Sequence, residues 1–234
     1  MSTPDPSPIA DLLRILAKAV GEARPTDRVA PGGLFDPQIG ELVHAFMVWE
    51  AGEVRAAEAM QRIHESLVDY NELRVCLPGE TVSLIGEKYP RASERSARLR
   101  AALQEVYRRE HAMSLSRAWA MQKREARSYL ATLEGVHPFV ASRVFLLGLG
   151  GHAAPVDSRI LSVLVAHDVV EQGTDESSAA SLLERSFRAG EAEAAYRQLE
   201  AASELPQPRP RRAKPSPKKP TRPKARKPRT SKPE

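Results

Sequence analysis

Cys76 is the only cysteine in the chain, which excludes an intramolecular disulfide, a thiolate-ligated cluster and a Cys-rich zinc site. On its own it reads as a small buried apolar side chain. Long apolar runs are missing too: VFLLGLGG and ILSVLVAH fall far short of the roughly 20 residues that cross a bilayer. The opening MSTPDPSPIADLLRILAKAV lacks the basic region and small-residue cleavage site of an export signal. No segment alternates convincingly as a strand would. Together these absences point to a cytoplasmic protein with no membrane partner, and to an all-α fold.

The formal charge of +5 is unevenly distributed. Residues 206–234, PQPRPRRAKPSPKKPTRPKARKPRTSKPE, hold twelve Lys or Arg, nine prolines and one acid, whereas residues 1–205 carry 23 basic and 29 acidic side chains. The tail has too little apolar surface to offset chain entropy, so it reads as an extended, disordered polycation. Ser216-Pro217-Lys218-Lys219 and the surrounding KP and RP steps resemble linker-histone tails, which implies DNA contacts through Lys218 and Lys219. A solubilising tail, or one that contacts RNA or acidic proteins, is the alternative.

A first amphipathic helix over about Ile9–Ala23 is followed by a Pro- and Gly-rich linker, so residues 1–37 read as a separate unit. Residues 38–205 read as about eight or nine helices joined by short loops, with no fixed repeat. Within them, residues 123–149 form a hairpin of helices. KREARSYLATL is the first helix, EGVH the connection, and the second helix starts at Pro138, where a missing N–H costs nothing. Gly135 opens conformations closed to most residues, and the amides beginning the second helix suit a phosphate. An ordinary helical turn in a bundle would read the same way. Asp157, in APVDSRILSV, stands where an N-cap belongs.

The segment LEGVHPFVASRVFLLGLGGHAAPVDSRILSV resembles the helix-hairpin-helix DNA glycosylases of the endonuclease III type. Their hairpin reads L-P-G-V-G-x-K-x-A and their catalytic segment V-D-[TS]-x-[IV]. Leu133, Gly135, Val136, Ala141, Val156, Asp157 and Ser158 match at the family's spacing, and a weaker likeness extends the coverage to about Gln38–Phe187. The resemblance implies a two-lobed helical fold, a hairpin that grips the phosphate of double-stranded DNA, and a flipped nucleotide in the cleft between lobes. It also implies that Asp157 assists N-glycosidic cleavage, a carboxylate being suited to stabilise an oxocarbenium ion and to orient or deprotonate water.

Four departures modify what the resemblance implies. Phe139 stands where bifunctional members carry the Schiff-base Lys, so lyase chemistry by that route is not expected, and Phe139 either lines a base pocket or fills core. His137 replaces the hairpin's second Gly, with a tolerance for left-handed backbone and a cationic form that would favour phosphate. The four-Cys cluster motif is absent, so no cofactor is expected. Glu50 falls near the Gln that fills the gap left by a flipped base, and would there face the negative charge of DNA. Arg159 replaces a frequent His and reads as a phosphate contact or a surface ion-pair member. His152 reads as a loop histidine, His44 and His64 as structural histidines rather than metal ligands, and Trp49 and Trp119 as core.

The expectation is therefore a monomeric, nucleoid-associated base-excision-repair protein, a monofunctional DNA N-glycosylase acting through Asp157. The alternative is a degenerate relative that binds DNA as an architectural or recruiting factor.

Overall fold

The computed structural model describes residues 8–20 and 35–206, and all regular structure among them is helical. Lys218, Lys219, nearly all of the basic tail and most of the linker lie outside the described residues. None of the described helices is long and apolar enough to cross a membrane.

Local signals set where the helices begin. Asp36 accepts the N–H groups of Gln38 and Ile39 at 2.9 Å ahead of α2 (Pro37–Val48), with Pro37 at the first position. Asp69 caps α4 (Tyr70–Val75) in the same way. Before α5 (Pro78–Ile85), the Glu80 carboxylate reaches back to the Leu77 N–H at 2.7 Å.

Helix α2 is the central element. Leu42 through Val48 are all buried, as expected of a helix that is apolar nearly all round. It packs against α3 (Glu53–Ser66) and α6 (Ala92–Glu110), and α3–α6 form one group of helices around its far end. A short α7 (Ser116–Ala120) leads into the hairpin, α8 (Lys123–Ala131) and α9 (Pro138–Arg143). A second group consists of α10 (Ser158–Ala166), α11 (Glu176–Ser186) and α12 (Ala192–Ser203). Helix α1 (Pro8–Val20) belongs to it: Ile9, Leu12 and Leu16 are buried and the helix lies on α12. The amino-terminal helix set apart in sequence is thus part of the common core, because its apolar face packs on α12, the last of the described helices.

The helices are shorter and more numerous than the periodicity predicts. The break at LPGE does separate α4 from α5, but the second hairpin helix, expected to run to Leu149, gives way at Val144 to a π-helical turn through Gly148. There the Leu149 N–H reaches the Val144 carbonyl at 3.2 Å, and π turns of this kind often accompany functional sites.

A buried ionic network joins the two groups of helices. Arg143, 1% exposed at the end of α9, donates from Nε to the Tyr196 hydroxyl at 3.0 Å, from Nη1 to His44 Nδ1 at 3.2 Å and from Nη2 to Glu53 Oε2 at 3.0 Å. The Tyr196 hydroxyl donates onward to Glu200 at 2.7 Å, and His44 Nε2 faces Glu53 Oε1 at 3.2 Å. His44 is therefore a structural histidine, its Nδ1 an acceptor for arginine. Four helices, α2, α3, α9 and α12, are fixed by this one side chain.

Candidate active site

The hairpin connection is shaped by Gly135. Its φ is +77°, and a Cβ there would sit 2.4 Å from the Arg98 carbonyl of α6, so the turn needs glycine both for its backbone and for its close approach. Val136, half-buried, closes the turn with its N–H on the Leu133 carbonyl at 3.2 Å. His137 is not left-handed: its φ of −78° and ψ of 148° are those of an N-cap, and its Nδ1 accepts the Phe139 N–H at 3.3 Å. A side chain that caps α9 in this way needs no second glycine.

Nor is His137 a cation. Burial, then Arg98 and Arg91, hold its pKa below the ordinary value, while its ring stacks on buried Trp49 with centroids 4.4 Å apart. Positive charge at the hairpin comes instead from Arg91 and Arg98, whose guanidinium carbons lie 5.1 and 5.8 Å from the Trp49 ring. Arg95 lies between them, fully buried, donating to the Trp49 carbonyl and, at 2.9 Å, to that of Pro90; burial brings its pKa down to about 10. The three arginines recur at four- and three-residue spacing, Arg91 just before α6 and the other two on it, a pattern visible in PRASERSARLR that sequence reasoning passed over.

Asp157 is 1% exposed and commits both carboxylate oxygens. Oδ1 accepts the Ile160 N–H at 3.0 Å, capping α10, and Oδ2 accepts the Glu50 N–H at 3.0 Å, holding the corner after α2. Burial raises its pKa above the ordinary carboxylate value against the opposing pull of those two amides. Glu50 returns the contact. Its backbone is left-handed, with φ of 59°, and its carboxylate accepts the Ser158 N–H at 3.2 Å and the Ser158 hydroxyl. Glu50 is thus turned onto the head of α10, because that helix's amino-terminal donors and dipole attract a carboxylate.

Beside Asp157 opens a cleft of about 680 Å³, with Phe139, Val156 and Leu161 on its apolar side and Glu176 and Arg127 among its polar groups. Phe139 is 2% exposed, so it both fills core and forms cleft wall. Glu176, at the start of α11, has its pKa raised by burial and by the charges of Glu50 and Asp157. Of the three acids Glu50, Asp157 and Glu176, only Glu176 lines the cleft; Asp157 follows Val156 of its wall, and the charges of Glu50 and Asp157 reach Glu176.

Arg159 is directed elsewhere. Its Nη2 donates to Ser203 Oγ at 2.6 Å and lies 3.9 Å from Glu204, so of the two roles open in sequence it takes the ion-pair role, against α12 rather than a phosphate. His152 is half-buried and donates from Nε2 to the Glu184 carbonyl at 2.7 Å instead of standing free in its loop. Among the described residues no group of His, Cys, Asp and Glu is arranged to hold a metal ion.

No protein-family model matches the sequence, and no curated protein matches it. Solved structures match in three dimensions. One is an endonuclease III trapped as a covalent DNA intermediate in an estranged-adenine complex, at 14% identity over 85% of each chain with a TM-score of 0.62. Another is MBOgg1 in complex with a low-affinity DNA ligand, at 18% identity over 83% of this chain and 69% of that one, with a TM-score of 0.54.

Proposed function

Since the chain has the endonuclease III-like helix-hairpin-helix fold, we propose that it is a DNA-binding base-excision-repair protein, a monofunctional N-glycosylase that uses Asp157 to hydrolyse the bond between a damaged or mismatched base and its sugar. The observation that supports this reading is the position of Asp157: a buried carboxylate at the head of a helix, next in sequence to Val156 in the wall of a cleft of a size usual for ligand sites. As the base leaves with the glycosidic electron pair, positive charge develops on the sugar. Asp157 stabilises that charge and takes a proton from the attacking water. Phe139 offers no amine at the cleft wall, so the abasic product is not carried on to strand cleavage by a Schiff base.

On this reading Gly135, Val136 and His137 present the hairpin to a backbone phosphate, with Arg91 and Arg98 supplying charge. The His137 side chain already takes one amide of α9, so the grip relies on fewer donors than an open hairpin would offer. The basic tail, including Lys218 and Lys219, holds the protein on DNA without regard to sequence.

The test is single-turnover base release from duplexes with oxidised, alkylated, deaminated or mismatched bases, with abasic sites opened chemically afterwards. Asp157→Asn should lower release by about 10²–10⁴-fold while duplex binding remains. Removing residues 207–234 should weaken binding and flatten its salt dependence without abolishing release. Tight binding with no release from any duplex would leave a DNA-binding scaffold and refute the enzyme.

A further inference from the structure

Resting on that reading, we propose that Glu50 is a positioning residue of the hydrolysis: its carboxylate, latched onto Ser158 at the head of α10, holds its own backbone amide on Asp157 Oδ2 and so fixes the plane of the Asp157 carboxylate. As an N-cap, Asp157 needs only Oδ1, which takes the Ile160 N–H at 3.0 Å. A carboxylate held by one oxygen can still turn about its Cβ–Cγ bond. The Glu50 N–H, 3.0 Å from Oδ2, removes that freedom, and it comes from 107 residues away, outside α10 altogether. The contact is returned: the Ser158 N–H donates to Glu50 Oε1 at 3.2 Å and the Ser158 hydroxyl to Oε2. Each segment therefore caps the other. Glu50 presents its amide from a left-handed backbone, with φ of 59°, which residues other than glycine seldom adopt, and its side-chain bonds to Ser158 offset that strain.

The rest of the corner between α2 and α3 is built to hold this geometry. The Ala51 and Gly52 N–H groups both close on the Val48 carbonyl at 2.9 Å. Beyond them, Glu204 after α12 takes the Glu53 N–H at 2.7 Å and the Val54 N–H at 3.4 Å. A Cβ on Gly52, whose φ is +88°, would lie 2.6 Å from that same Glu204 oxygen. Carboxylates thus secure the corner at both ends, that of Glu50 on the head of α10 and that of Glu204 on the head of α3. The charge of Glu50 also bears on Asp157. Burial first raises the Asp157 pKa; the Ile160 and Glu50 amides and Arg159 lower it, and the Glu50 carboxylate raises it again. The other titratable groups that feel the charge of Glu50 are Arg95 of α6, His137 ahead of α9 and Glu176 of α11. The amide and the carboxylate of one residue therefore act on Asp157 in opposite directions, and substitution can separate them.

Glycine suits a left-handed backbone better than glutamate does, so Glu50→Gly removes the latch without straining the corner. Glutamine keeps an acceptor for the Ser158 N–H and a donor for its hydroxyl but carries no charge. In the full-length protein, hydrogen exchange at the residue-50 amide, corrected for intrinsic rate, should quicken about ten- to hundredfold in Glu50→Gly and stay near the wild-type rate in Glu50→Gln. Single-turnover base release should fall about ten- to hundredfold in Glu50→Gly with duplex binding kept, and Glu50→Gln should recover most of that loss. The acid limb of release in Glu50→Gln should also move to lower pH, since a like charge no longer opposes ionisation of Asp157. Unchanged exchange in Glu50→Gly, equal losses of release in the two variants, or an unmoved limb overturns the proposal. A wild type that releases no base from any duplex refutes the hydrolysis instead, and exchange alone then decides the latch: protection lost in Glu50→Gly and kept in Glu50→Gln upholds it.

Discussion

Replacing Gly135 with alanine tests whether the hairpin is built against α6 as described. Two costs add at this position. A left-handed φ of +77° costs an L-residue about 1–2 kcal/mol. The added methyl would lie 2.4 Å from the Arg98 carbonyl and 3.0 Å from the Ala101 Cβ; the first is backbone inside a long helix and cannot swing aside, so overpacking adds about 1–3 kcal/mol. A less flexible unfolded chain returns about 0.4–1 kcal/mol, leaving a net loss of about 2–4 kcal/mol. Two other glycines isolate these contributions. Gly150 has a φ of +60° with nothing within 4 Å of a Cβ, so alanine there meets strain alone, about 1 kcal/mol. Gly79, in α5, has open space and an ordinary helical backbone, and alanine should be neutral or stabilising by about 0.5 kcal/mol. Urea unfolding followed by far-ultraviolet circular dichroism reads all three. With a slope of about 2 kcal/mol per M, Gly135→Ala should lower the midpoint by about 1–2 M. A midpoint equal to that of Gly150→Ala would refute the close packing of the hairpin on α6.

Two further outcomes are expected. Arg143→Met should cost about 3–5 kcal/mol in the same unfolding measurement, because the buried Glu200 would lose the guanidinium that faces it and Glu53 one of its partners; adding Glu200→Gln should recover part of the loss, and full additivity would argue against a shared network. Base release should show an acid limb governed by Asp157: the carboxylate must be ionised to accept water's proton, and its pKa is raised, so activity should fall as pH drops through a value above the ordinary 3.8. A limb at or below 3.8 in single-turnover rates would remove Asp157 from the proton step.

What could be read from sequence depended on distance along the chain. The caps of α2, α4 and α11 are contacts between residues two or three apart, and their Asp residues mark the helix starts directly. The π turn is different. It shifts hydrogen bonds by one residue within an apolar run whose composition suits an α-helix equally well, so only packing around Val144–Gly148 selects it. His137 differs for another reason: aligned with a glycine, it does not need its tolerance for left-handed backbone, because its ring offers a local alternative by accepting the Phe139 N–H. Glu50 could not have been placed at all from its own neighbourhood. Its partner Ser158 is 108 residues away, and an acid judged against DNA's charge is in fact satisfied by a helix start.

Asp157 shows how two sequence readings can be complementary. As an N-cap it was local and legible, and that contact occupies only Oδ1. The second oxygen holds the Glu50 amide, which ties the corner after α2 to the head of α10. Each carboxylate oxygen has two acceptor positions, so a single amide on each leaves acceptor capacity for a water or a developing sugar cation. Fixing the carboxylate with backbone amides keeps it from reorganising as charge develops, which is what electrostatic stabilisation of a transition state requires. Burial raises its pKa and makes it a stronger base, while the amides of Ile160 and Glu50 oppose that rise. On the proposed function, capping is therefore part of how Asp157 is prepared for chemistry.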